Sequence, residues 1–129
     1  MAKKITISID GSFIQASRGS NVLDVALENA ICIPHLCHLP GAKSTGACRL
    51  CIVEYIKNGK SIITTSCTLL VQEGMVIKTN THSIRRLRKN IAELLVAEAP
   101  NSRAVQDMAL RCGVRNVRYK FRNKNCILC

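Results

Sequence analysis

CHLPGAKSTGACRLC, residues 37–51, places three cysteines in fifteen positions around two glycines, a proline and a Ser-Thr pair. Such a stretch makes a disulfide staple, a zinc knot or a loop around an iron–sulfur cluster. Eight cysteines in 129 residues is heavy use, so the redox compartment matters. The opening MAKKITISID has two lysines but neither an apolar core nor a small-residue cleavage site, so it does not read as a signal peptide, and a cytoplasmic location is expected. In a reducing compartment, clustered thiols serve metal binding or redox chemistry rather than stable disulfides. The staple is set aside. No apolar run approaches the roughly 20 residues that cross a bilayer, so direct membrane insertion is not expected.

Working outward, Ile5, Ile7 and Ile9 alternate with polar residues, the period of a half-buried strand. Asp10-Gly11 marks a tight turn, and residues 13–16 return as the partner strand. Ser20 or Asn21 caps a helix whose apolar positions 23, 26, 27 and 30 share one face. Ile33-Pro34 ends it and opens the cysteine-bearing loop. Residues 50–56 and 61–65 read as a hairpin around Asn58-Gly59, a pair preferred in type I′ turns. Residues 75–79 close the pattern after a Glu73-Gly74 turn. The expected fold is α+β: a β-grasp domain over residues 1–81, in which one helix crosses a small mixed sheet.

The character changes after residue 81. Ile84, Leu87, Ile91, Leu94 and Leu95 fall at helical spacing, with Arg85, Arg86, Arg88 and Lys89 largely off that stripe. Thr81 or Ser83 caps this helix. A second helix starts at Asn101 or Ser102, with Val105, Met108, Ala109 and Cys112 on one side and Gly113 at its C′ position. Residues 82–113 therefore read as a basic helical pair, and 114–129 as a linker ending in two cysteines. Of the formal net charge of +11, residues 1–81 supply +3 (eight Lys/Arg, five Asp/Glu) and residues 82–129 supply +8 (eleven and three). A basic half suggests nucleic acid, an acidic membrane surface or an acidic protein partner. Single-strand binding wants aromatic platforms, and the chain has only Phe13, Tyr55, Tyr119 and Phe121. A face that docks on another subunit fits better, and no nucleic-acid partner is expected.

Cys37, Cys48, Cys51 and Cys67 are spaced C-x10-C-x2-C-x15-C. A [2Fe–2S] cluster needs four thiolates, two on each iron. The C-x2-C pair brings two sulfurs within reach of each other by the shortest practical turn, and the hairpin after Cys51 carries Cys67 back towards it. Gly41 and Gly46 permit backbone conformations that aim N–H groups at sulfur, as a nest does at an anion. Zinc competes, because C-x2-C is half of the commonest all-cysteine zinc site. Spacing alone leaves both metals open, and a zinc-stabilised module that binds nucleic acid through its basic half stands as the alternative.

The segments IPHLCHLPGAKSTGACRLCIVEY and TTSCTLLVQEGMVIKTNT resemble the N-terminal [2Fe–2S] domain shared by three proteins. These are the large iron–sulfur subunit of respiratory complex I, the diaphorase small subunit of NAD-linked nickel–iron hydrogenases, and the N-terminal part of iron-only hydrogenases. The resemblance covers residues 1 to about 81. It implies a [2Fe–2S] cluster on Cys37, Cys48, Cys51 and Cys67, and a role in electron transfer. The implied partners are a flavin, iron–sulfur or hydrogenase/dehydrogenase catalytic subunit. No acid–base pair or nucleophile stands out, so no catalytic residue is assigned and catalysis is expected to belong to the assembly. Cys32, which is not a ligand in that family, is expected to be a small buried thiol, and His35 and His38 to be polar neighbours of the cluster.

The pattern then breaks. The His and three cysteines that bind a [4Fe–4S] cluster after the long helix in those proteins are missing here, since no cysteine lies between Cys67 and Cys112. The terminal NKNCILC resembles the opening of a ferredoxin-type [4Fe–4S] motif that stops at its second cysteine. Cys126 and Cys129 are thus expected to begin a second cluster site in a longer native chain. Cys112 is expected to be a core thiol.

Overall fold

A computed structural model describes residues 3–121 of the chain. Two compact units divide between Ile84 and Arg85.

The first unit is built on a five-stranded mixed sheet. Strand β1, Lys4–Ile9, buries its three isoleucines on one face, as period-2 alternation requires. Asp10 and Gly11 both take positive φ, 52° and 86°, the type I′ geometry that matches the twist of the flanking strands. They return the chain as β2, Ser12–Ser17, paired antiparallel with β1. Strands β3, Ile52–Lys57, and β4, Lys60–Thr65, form the second hairpin, again around two positive-φ residues, Asn58 and Gly59. The short β5, Val76–Lys78, lies parallel to β1 and antiparallel to β3, giving the order β2-β1-β5-β3-β4. The expected β-grasp arrangement is found. The Asp10 carboxylate accepts from the Thr79 amide (2.8 Å) and hydroxyl, fastening the end of β5 to the first turn.

Helix α1, Val22–Glu28, packs Val22, Leu23, Val25 and Ala26 into the core beside Ile7, Val53 and Ile77. Asn21 is its N-cap and accepts from the Asp24 amide at 2.8 Å. The helix stops earlier than its apolar pattern suggests. Ala30 sits at C′ with φ 59°, and the Ile31 amide reaches back to the Ala26 carbonyl at 2.8 Å, the closure of a Schellman motif. Leu27 and Ala30, expected on the buried face, are exposed as a result.

Helix α2, His82–Glu98, receives its N-terminal cap from Thr81, whose hydroxyl accepts from the Ile84 amide at 3.2 Å. Glu54 on β3 accepts from the same hydroxyl at 2.6 Å. In the second unit the buried face of α2 is not the expected leucine stripe. Arg88, Ala92, Glu93 and Ala97 are buried, while Leu87 and Leu94 are exposed. The buried Glu93 meets a partner from further along the chain: Arg118 donates to it through Nε (2.9 Å), Nη2 (3.0 Å) and its backbone amide (2.6 Å). A buried carboxylate is costly unless it is satisfied in this way. These donors hold the Glu93 carboxyl below its ordinary range, the side-chain bond contributing most. Helix α3, Arg103–Arg111, is capped by Ser102 and ends on Gly113 at φ 82°. The Val114 amide returns to the Ala109 carbonyl at 2.9 Å. Among the described residues no helix is long and apolar enough to cross a membrane.

Candidate metal centre

Between α1 and β3 the chain has no helix or strand, and three of the four expected ligands lie there or at its edge. Cys51 immediately precedes β3 and Cys67 follows β4 by two residues. The β3–β4 hairpin therefore brings them together. The Ser66 amide and hydroxyl both donate to the Cys51 carbonyl, at 2.9 Å and 2.7 Å, which locks the two segments side by side. Both cysteines are buried, whereas Cys37 and Cys48 are half-buried.

The thiols lie within electrostatic reach of one another. Cys37 and Cys48 lie near enough to influence each other's thiols, as Cys51 does that of Cys67. Cys48 and Cys51 form the C-x2-C turn. Arg49, between them, takes a left-handed backbone with φ 62°. Cys37 also lies near enough to Cys67 to act on its charge. Among the described residues no three His, Cys, Asp or Glu side chains gather as a single ion would need.

Backbone amides act on the sulfurs. The Cys37 thiol is pushed up by burial but receives the amides of Cys48, Ala47 and Cys37 itself, and the net result lies below its ordinary value. Burial dominates at Cys48 and raises it, against donors from Leu50, Cys37 and Leu36. Cys67 is pushed up to about 11 by burial and by the neighbouring Cys51 and Cys37, with the Gly46 amide opposing. Seen from Cys67, a thiolate is costly unless positive charge arrives to compensate it. A pair of ferric ions supplies that charge: two ferric ions, two sulfides and four thiolates sum to about −2, shared over several amide donors. Four thiols acted on by several amides fit a binuclear cluster.

The two loop glycines differ. At Gly46 φ is +66°, and a Cβ would meet Thr65 Oγ1 at 3.3 Å and Thr68 Cγ2 at 3.4 Å. This is a close approach that only glycine makes without strain. Gly41 has φ +79° but open space around it, so it makes a turn and is not shaped by the thiols.

Cys32, expected to be buried, is exposed. With α1 ended at Glu28, the buried position passes to Ile33, which is 1% exposed. Cys112 is half-buried, and burial raises its thiol. His35 Nδ1 lies 2.8 Å from the Ile33 carbonyl. His38 is the residue that sequence reasoning undervalued: it is buried and bonded at both nitrogens, to Asp24 and to Ser44. The signal for it was its place beside Cys37, but its partners come from residues 14 and 6 positions away. Cys126 and Cys129 lie outside the described residues.

Comparison with known proteins adds to this geometry. The family described as "2Fe-2S iron-sulfur cluster binding domain" matches residues 2–82. An NADH-quinone oxidoreductase subunit from Rickettsia felis is 33% identical over 117 residues, 91% of this chain and 17% of that protein. The gamma subunit of the NAD-reducing hydrogenase HoxS of Cupriavidus necator is 33% identical over 116 residues, 90% of this chain and 48% of that one. Among solved structures, a chain of an NAD+-reducing [NiFe]-hydrogenase in the H2-reduced state superposes with a TM-score of 0.79 at 31% identity. That superposition covers 90% of this chain and 52% of the other. The chain spans less than half the length of either curated relative.

Proposed function

Because the chain belongs to the family of 2Fe-2S iron–sulfur cluster binding domains, we propose that it carries single electrons within a multi-subunit redox assembly of the NADH-dehydrogenase or hydrogenase type. Cys37, Cys48, Cys51 and Cys67 are the proposed cluster ligands. What supports this reading is the family match over residues 2–82, together with four thiols that influence one another and are acted on by nearby backbone amides. When bound, the cluster supplies a site that accepts and returns one electron.

The protein's own residues hold that site and bias it. The amides of Gly46, Ala47, Cys48 and Leu50 stabilise negative charge on sulfur, and such donors raise a cluster's potential. Cys51 and Cys67, both buried, keep water from one side. Cys37 and Cys48 are nearer solvent, so this edge is where a partner approaches. In this reading residues 1–81 are the cluster domain and 82–113 a basic helical pair. The exposed Arg85, Arg86 and Lys89 form a docking face for an acidic subunit surface. The partner is a flavin, iron–sulfur or catalytic subunit, which also supplies the substrate chemistry.

Anaerobic purification tests the proposal. The protein should be brown, with visible absorption bleached by dithionite and an EPR signal in the reduced state. Cys51→Ala should abolish that signal and Cys32→Ala should leave it. A colourless protein holding one zinc would refute the cluster, and a signal retained in Cys51→Ala would refute the ligand set.

A further inference from the structure

The first turn of α1 is tied to the segment that carries Cys67. The Val22 amide donates to the Leu69 carbonyl (2.9 Å), the Leu23 amide to Ser66 (3.1 Å), and the Val71 amide to Ser20 (2.9 Å). Asn21 makes a bridge to Leu70. Ser66 in turn holds the Cys51 carbonyl. Cys51 and Cys67 are thus placed by backbone hydrogen bonds and by the sheet.

The stretch from Cys37 to Cys48 has no such ladder. It contains no helix or strand, and its turn closes on itself, the Ala42 amide donating to the Leu39 carbonyl at 3.1 Å. It is reached from α1 by one imidazole. His38, 8% exposed, places Nε2 2.7 Å from Asp24 Oδ1 and Nδ1 2.8 Å from Ser44 Oγ. Asp24 is itself oriented, because its Oδ2 accepts from Asn21 Nδ2 at 2.6 Å and its amide donates to Asn21 Oδ1 at 2.8 Å. One tautomer satisfies the chain: Nε2–H donates to the carboxylate and Nδ1 accepts from the serine hydroxyl.

We infer that His38 is a positioning residue that fastens the loop between Cys37 and Cys48 to the capped end of α1 before any cluster is present, so that the Gly46, Ala47 and Cys48 amides already face the thiols. A loop without secondary structure loses conformational entropy when it orders around a ligand, and a preformed tether removes part of that cost from the binding step. The inference rests on the proposed ligand set for what the loop is poised to receive.

The test is amide hydrogen–deuterium exchange of the full chain, reduced and metal-free, read in residues 39–50 with β1 and β2 as the internal reference. His38→Ala removes two hydrogen bonds and should speed exchange in 39–50 about tenfold, leaving the reference strands unchanged. Ser44→Ala removes one and should speed it about threefold. His38→Gln keeps a donor and an acceptor and should recover part of the protection. Cluster assembly from ferrous iron and sulfide should slow in the same order. The reduced-state EPR signal of loaded His38→Ala should broaden, because the amides no longer hold one arrangement. Unchanged exchange in 39–50 for both His38→Ala and Ser44→Ala would overturn the inference. So would an equal rise in β1 and β2, which would make His38 a general stabiliser. Failure of the ligand set would appear separately, as a signal retained in Cys51→Ala.

Discussion

Gly46→Ala and Gly41→Ala form a matched pair that isolates what the metal loop demands of its backbone. Both glycines have positive φ, +66° and +79°, so each alanine meets a backbone penalty of about 1–2 kcal/mol. Alanine also restricts the unfolded chain, which offsets about 0.4–1 kcal/mol at either position. The two sites differ in space. At Gly41 a Cβ meets nothing, whereas at Gly46 it meets Thr65 Oγ1 at 3.3 Å. Thr65 is 4% exposed and its hydroxyl is engaged with that of Thr68, so it yields poorly, and overpacking of this kind costs about 1–3 kcal/mol more. In a domain of this size about 1 kcal/mol moves Tm by about 4–8 °C. Gly46→Ala should therefore melt roughly 4–24 °C below Gly41→Ala by near-UV or fluorescence-dye melting of the reduced, metal-free protein. Because the Gly46 amide also donates to Cys67, its variant should lose the visible absorption of the loaded protein faster in air. Equal melting temperatures for the two variants would refute the close-approach argument.

The remaining predictions address the thiols and the second unit. In the metal-free protein near pH 8, iodoacetamide should modify Cys37, whose thiol is lowered, well before Cys67, which is buried and raised to about 11; mass-mapped alkylation in the opposite order would contradict the amide nest around Cys37. Glu93 has a folded-state pKa below its unfolded value, so its contribution to stability is present above the unfolded pKa and is lost as pH falls through the folded one. Thermal melts between about pH 6 and 3 should show that acid loss in the wild type and a shallower one in Arg118→Ala. Asn21→Ala should cost about 1 kcal/mol through the lost helix cap and, by releasing Asp24, should also raise exchange in residues 39–50.

What the sequence determines by itself is local. Asp10-Gly11 and Asn58-Gly59 specify their hairpins because few other pairs accept two successive positive φ angles. Ser102 and Gly113 bound α3 through the chemistry of caps. The alternation at Ile5, Ile7 and Ile9 needs only a strand's period to predict its buried face. The cysteines stand out as a motif, and the family's pattern is legible from residues 33–81 alone. That the hairpin after Cys51 carries Cys67 back beside it is legible too; the Ser66 amide and hydroxyl that hold the Cys51 carbonyl were not, because they find it only once β3 and β4 have paired. In α2 the leucine stripe is the strongest local pattern, yet the buried face carries Glu93, whose partner Arg118 lies 25 residues further on. His38 finds Asp24 across 14 residues. Hydrophobic period and turn chemistry act over a few residues and can be read along the chain. Satisfying a buried charge or orienting a sulfur needs partners that only the folded chain delivers.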